Sequence, residues 1–223
     1  VRGLVVAVAL LTVGTMAQVP LAPVPTAEEV LQFLQGMPIS AALKAALAPV
    51  LGAGLATGRA TPAVSLPFLR GLATLPPPQA EEALSIVYRT LERGFMVDAL
   101  MNDVLKVLKM GQPWEAVMTN LRIRANLLVA SQQVLVQHGI VGVGPQGPGG
   151  PLLPQDRLVV EMAWAVGDFV LSQPREPLEA FVRSRFQKLR GSVLDPSLVD
   201  PLLAALTPEL VEQIARQAYG PSL

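Results

Sequence analysis

Apolar residues recur along this chain with the pitch of a helix. Val97, Leu100, Met101, Val104, Leu105 and Leu108 fall at i, i+3, i+4, i+7, i+8 and i+11 and form one face of a segment running from Met96 to Met110. Asp98, Asn102, Lys106 and Lys109 take the opposite face, with Asn102–Lys106 and Asp103–Lys106 within pairing reach. The pattern predicts an amphipathic helix with one dry and one wet side.

Start and stop signals repeat the same grammar elsewhere. Thr26 and Glu29 have the spacing of a capping box, and Gly36 closes that helix. Ser40 opens a segment over Ala41 to Ala56, which Pro49 is expected to kink or split. Thr61-Pro62 and the triple proline at Pro76 start two more, the second covering Gln79 to Arg93. A long helix is predicted from Pro113 to His138. Four further helices follow at Pro154 to Ser172, Pro177 to Arg190, Pro196 to Leu206 and Pro208 to Tyr219. Outside Ile140 to Val143 no run of alternating β-branched residues reads as a strand. The expected fold is all-α, an irregular bundle of about nine short-to-medium helices. A faint similarity between Leu72–Gly94 and Leu203–Gly220 hints at stacked helical hairpins, as in a solenoid, though the period is irregular.

The first residues break from this pattern. Arg2, an apolar run from Leu4 to Leu11 and the small residues Thr15 and Ala17 read as a signal peptide over 1–17, cleaved after Ala17; an uncleaved short anchor is the rival reading. A run of about ten apolar residues is too short for a bilayer core, which needs roughly 20. Residues 18–25 alternate proline with apolar residues and read as an extended tether. The body then divides into an N-terminal helical lobe over 26–138, a Gly/Pro-rich loop over 139–153 and a C-terminal helical lobe over 154–220.

Composition narrows the function. Lys+Arg 17 balance Asp+Glu 17 over 223 residues, which removes the basic surface that non-specific nucleic-acid binding uses. With hydrophobic residues at 51% and charged residues at 15%, the chain folds around a large core. The absence of Cys excludes thiol chemistry, disulfides and cysteine-ligated metals, and no calcium-loop spacing occurs. No cofactor or metal is expected.

Gly142-Val143-Gly144-Pro145-Gln146-Gly147 matches a dinucleotide-binding fingerprint letter by letter, but its setting does not. That chemistry needs a strand before the glycines and a helix N-terminus directly after them, whereas Pro145 and Pro148 delete amide donors and the next helix starts near Pro154. The segment reads as a flexible connection.

Among the acidic residues, Glu28, Glu29, Glu81, Glu82, Glu115, Asp156, Glu179 and Glu209 fall in predicted first turns and Asp195 caps a helix. Glu161 and Asp168 differ: they interrupt the apolar stretch Leu158 to Leu171 beside Trp164 and share a helix face. They are the weak catalytic candidates, for a glycan-cleaving acid in which Glu161 gives the proton. An exposed polar stripe pairing Arg157 with Glu161 is the plainer reading. The lone His138 reads as a helix C-terminal cap.

Arg175 to Arg190 carries a local excess of positive charge. Arg183, Arg185, Lys188 and Arg190 flank an arc containing Phe181 and Phe186, the arrangement of a basic amphipathic helix on an anionic membrane or an acidic partner; a helix packed on the core with wet edges has the same pattern. The sequence therefore predicts an exported, non-enzymatic helical binding or scaffold protein of a bacterial cell envelope, with a protein partner or self-association and no nucleic acid. A glycan-cleaving enzyme using Glu161 and a peripheral membrane protein using Phe181–Arg190 are the alternatives.

Overall fold

In the computed structural model the described residues are 24–142 and 147–220. The signal-peptide reading, nearly all of the tether and residues 143–146 of the glycine-rich motif lie outside them. The described residues form ten helices and no strand; their one β contact is an isolated bridge between Arg190 and Leu194.

The helices are α1 (Ala27–Gly36), α2 (Ala41–Thr57), α3 (Pro62–Leu72), α4 (Pro77–Glu92), α5 (Asp98–Lys109), α6 (Trp114–Gln137), α7 (Pro154–Ser172), α8 (Leu178–Leu189), α9 (Pro196–Ala205) and α10 (Pro208–Tyr219). The all-α expectation holds, with ten helices where about nine were expected. None is long and apolar enough to cross a membrane.

Local signals account for most of the boundaries. The Thr26 hydroxyl accepts from the Glu29 amide at 3.2 Å while the Glu29 carboxylate accepts from the Thr26 amide at 2.7 Å, the reciprocal cap read from the sequence. Asp195 and Thr207 cap α9 and α10 with their side-chain oxygens. Glycines at 94, 111, 139, 191 and 220 lie in the left-handed region just past their helices. Ser40, by contrast, makes no side-chain cap: its amide donates to Glu81 of α4 at 2.6 Å, so the start of α2 is satisfied by a distant helix. Pro49 does not split α2, which runs unbroken through it. Burial of Leu47 and Leu51 on either side outweighs the one amide that proline removes.

The helix α6 is the axle. It packs on α4 and α5 on one side and on α7 and α10 on the other, so the two lobes share one core across it. Its inward stripe is Val117, Leu121, Arg124, Leu128, Ser131 and Leu135, all buried, at alternating intervals of four and three. A solenoid would confine each unit to its chain neighbours. Here α10 returns to α6 instead, which makes the fold an irregular bundle.

The Gly/Pro-rich loop is tied down at its described end. Thr57 Oγ1 donates to the Pro148 carbonyl at 3.0 Å, and the fully buried Arg59 donates to the Pro151 carbonyl at 2.9 Å and to Asp156 Oδ2 at 3.1 Å. The Arg59 guanidinium also reaches the Gly94 carbonyl, and its own carbonyl accepts from the Val97 amide at 2.9 Å. One residue thus joins the end of α2, the α4–α5 turn, the loop and the start of α7.

Candidate functional site

The polar residues that α6 and α7 carry inward meet at one place. Arg124, with 5% of its side chain exposed, places Nη2 2.6 Å from Asp168 Oδ1 and Nε 3.2 Å from Asp103 Oδ2. The Nε contact is close enough for attraction between charges but misaligned for a hydrogen bond, leaving both atoms without one. The guanidinium lies 5.1 Å from the centre of the Trp164 ring, and Nη1 donates to the Trp164 carbonyl at 3.3 Å.

The network continues outward. Arg185 of α8 binds Asp168 Oδ2 at 2.6 Å through Nη1 and Glu161 Oε2 at 3.2 Å through Nη2. Asp103, Arg124, Asp168, Arg185 and Glu161 therefore form a continuous chain of charges across α5, α6, α7 and α8. Such a chain fixes which helix face meets which, because any other register strands a charge in the interior.

Glu161 and Asp168, the catalytic candidates, are thus brought together by a shared arginine. The partner of Glu161 is Arg185, not Arg157. Asp103 pairs with Arg124 and not with Lys106, and Asp98 is half-buried with both carboxylate oxygens on Thr61, at 2.8 Å from its amide and 2.7 Å from its hydroxyl. The polar face expected on α5 to be solvated is in part a packing face. Burial raises the pKa of both carboxyls: at Asp98 it outweighs the bonds from Thr61, and at Asp103 it outweighs the attraction of Arg124.

The expected basic stripe is largely spent inside the chain. Arg183 binds Glu179 at 2.6 Å and donates to the Leu203 and Leu206 carbonyls at the end of α9, both at 2.9 Å. Arg190 grips Asp200 with two hydrogen bonds of 2.6 and 2.9 Å, and Arg185 belongs to the network above. Phe186 is fully buried, and Phe181 is half-buried with its ring edge-to-face on Phe169 at 5.7 Å. Of the four basic residues in that stripe, Lys188 alone stays exposed and unpaired among the described residues. This is a core-packed helix with wet edges, the second of the two readings of that pattern. His138 sits at the C-terminal cap of α6, where its backbone amide donates to the Val134 carbonyl at 3.0 Å.

Clefts open on the surface of the described residues. One of about 450 Å³ lies between α1 and α3 beside Phe33 and Arg70, and one of about 380 Å³ lies by Leu153 and Val193. The third, about 490 Å³, opens between the ends of α5, α6, α7 and α10, with Val107, Ile123, Leu171 and Tyr219 in its walls and Arg124 at its floor. Met110 and Leu171 at its rim are 62% and 65% exposed, the most exposed large apolar side chains within any described helix or its cap. Burial also raises the Tyr219 pKa, with Arg124 pulling it down and Asp168 pushing it up. Neither Glu161 nor Asp168 lies in the walls of these clefts. No group of three metal-ligating side chains converges among the described residues.

Sequence reasoning missed Arg124, Asp103 and Arg59. Arg124 had a signal: it occupies the middle of the α6 stripe, at a position whose neighbours are all apolar or small. Arg59 had none, standing in a short link between two helices.

No family model, curated protein or solved structure matches the chain. The chemistry open to the cleft follows from its own walls: apolar sides, a buried guanidinium whose charge is already answered, and two neighbouring groups with shifted proton affinities.

Proposed function

We propose that this chain is an exported, non-enzymatic helical binding protein of a bacterial cell envelope, and that the cleft between α5, α6, α7 and α10 is its binding site. The observation that carries the reading is the coincidence at one place of a 490 Å³ apolar cleft and a buried polar floor. Ligand sites are typically concave, mostly apolar and furnished with a few converging polar groups, some of perturbed pKa; Arg124 is such a polar group, and the raised pKa values of Tyr219 and of Asp103 behind the wall supply the perturbation. The exposed Met110 and Leu171 add an apolar rim that water solvates poorly, so an occupant gains by covering them.

A binding role is further supported by the fate of the acids. Glu161, Asp168 and Asp103 each face an arginine, and the same arginines hold four helices in register. Groups used this way serve the architecture of the site.

Amide chemical-shift mapping with 1-octanol tests the reading. Perturbations clustered at Val107, Ile123, Leu171 and Tyr219 are expected. Perturbations spread evenly over the surface, or centred on Phe33 or Val193, would contradict it.

A further inference from the structure

We infer that the occupant of this cleft is a second copy of the chain, the two copies related by a half-turn so that Met110 of each enters the cleft of the other. The inference rests on the reading of the cleft as a binding site and names what fills it.

The hollow and the side chain that fits it lie on the same face. Val107 near the end of α5 lines the wall, and Met110, three residues on, stands at the edge with most of its side chain uncovered. Leu171 is left open in the same way at the end of α7. Between them α6 shows only the short side chains of Ala116 and Thr119, both exposed, so this part of the wall is open to a long thioether side chain. A projecting residue beside an apolar hollow is what a two-fold interface requires, because one patch must serve both copies and each contact then occurs twice. Methionine is among the residues enriched in such interfaces.

The charges around this face favour a second copy over a foreign partner. Lys106 lies one turn before Met110 on the same stripe of α5, exposed and without an acidic partner among the described residues. Lys109, next to Met110 in the chain, points about 100° away around the helix. Glu115 stands exposed in the cleft wall, also without a partner among the described residues. One cation beside the projecting residue and one anion beside the hollow complement each other when one copy is turned onto the other. Met110 in the partner's cleft brings Lys106 to the partner's Glu115, and the reverse pair forms at the same time. A partner of a single charge sign would meet repulsion at one of the two positions. The chain as a whole does not oppose the pairing: Lys+Arg 17 against Asp+Glu 17 leave no net charge to push two copies apart, and charged residues at 15% lie well below the roughly 25% of ordinary soluble domains.

Sedimentation velocity of the full chain at low ionic strength tests this. A monomer–dimer equilibrium with a dissociation constant of roughly 10–100 µM is expected, the weak end for a small interface. Met110→Asp should weaken it more than about tenfold, and Lys106→Glu and Glu115→Lys about tenfold each, since every dimer carries the pair twice. An equimolar mixture of the two single charge variants should regain the native association, because each then presents the charge that the other lacks. A mixture no better than its components, or a dimer that Met110→Asp leaves intact, would overturn the inference. Octanol mapping on the native chain and on Lys106→Glu separates the two readings of the cleft. If the native chain stays monomeric while octanol perturbs the cleft, a second copy is the wrong occupant and the binding site stands. If octanol fails to perturb the cleft in the Lys106→Glu monomer, the binding site itself is wrong and the occupant falls with it.

Discussion

Gly167 lies directly beneath Arg124: a β-carbon at position 167 would fall 2.2 Å from Arg124 Nη1 and 3.0 Å from Cζ. The glycine is what lets a guanidinium lie flat against α7 between Trp164 and Asp168. A glycine within a helix costs about 1 kcal/mol relative to alanine, so its use here reflects that close approach. Gly167→Ala should destabilise the protein by about 2 kcal/mol despite the gain in helix propensity, because the arginine is held by Asp103 and Asp168 and cannot swing aside. Gly36 is the control, since a β-carbon added there would meet no atom within 4 Å. Gly36→Ala should leave stability unchanged or raise it by up to about 1 kcal/mol. Urea melts of the two variants decide. Equal effects would contradict the packing described.

Removing the guanidinium itself should cost more than removing a surface one. Arg124→Met strands Asp103 in a partly buried position and leaves Asp168 to Arg185 alone, with an expected loss of about 2–4 kcal/mol after allowing for the solvent both carboxylates retain. Arg190→Gln breaks an exposed pair with Asp200 and should change the unfolding midpoint little. If the two substitutions were equivalent, the network would not be holding the helices in register.

Arg59 gives a parallel expectation for the loop. Arg59→Met leaves Asp156 and the Gly94 and Pro151 carbonyls without their shared donor. A loss of about 3–5 kcal/mol is expected, and the 139–153 segment should be cut faster by a non-specific protease under native conditions. Unchanged cutting would mean that Arg59 does not tether the loop.

The carboxyls make opposite contributions to the pH dependence of stability. Asp98 and Asp103 have pKa values raised above the ordinary 3.8, so between that value and their own pKa the folded chain holds protons the unfolded chain has lost. Each therefore lowers stability as pH rises through that window. Asp195 is depressed by its bonds to Ser197, so its contribution is present above 3.8 and is lost as pH falls through its lowered pKa. Measured from pH 2 to 7, the stability of Asp103→Asn relative to the native chain should improve as pH rises above about 4, whereas that of Asp195→Asn should worsen as pH rises through the lowered Asp195 pKa toward 3.8. Parallel curves would contradict both assignments.

The helices were legible because their signals are local. The Thr26–Glu29 box, the prolines at the starts of α3, α7, α9 and α10 and the glycine stops each act within one turn of the chain. What escaped was every feature that needs two distant segments. For Arg183, Arg185 and Arg190 a free basic stripe and a core-packed helix both stayed open, because apart from Glu179 their partners come from other helices: the α9 carbonyls, Asp168, Glu161 and Asp200. Asp103 read as within reach of Lys106, its neighbour along α5, while Arg124 is its neighbour across the helix pair. Glu161 and Asp168 were rightly seen as unusual for an apolar stretch, but the arginines that explain them sit on other helices. The cleft had no sequence signal, since it is made by the ends of four helices that meet only in the fold.

The central claim is that the cleft over Arg124 is where this chain binds an apolar body. Nile red fluorescence tests that most directly, measured on the native chain, on Thr119→Trp, which fills this cleft, and on Gln32→Trp, which fills the one between α1 and α3. Saturable enhancement at a single site is predicted, weakened about tenfold or more by Thr119→Trp and unchanged by Gln32→Trp. Enhancement that survives Thr119→Trp and disappears with Gln32→Trp would contradict the claim.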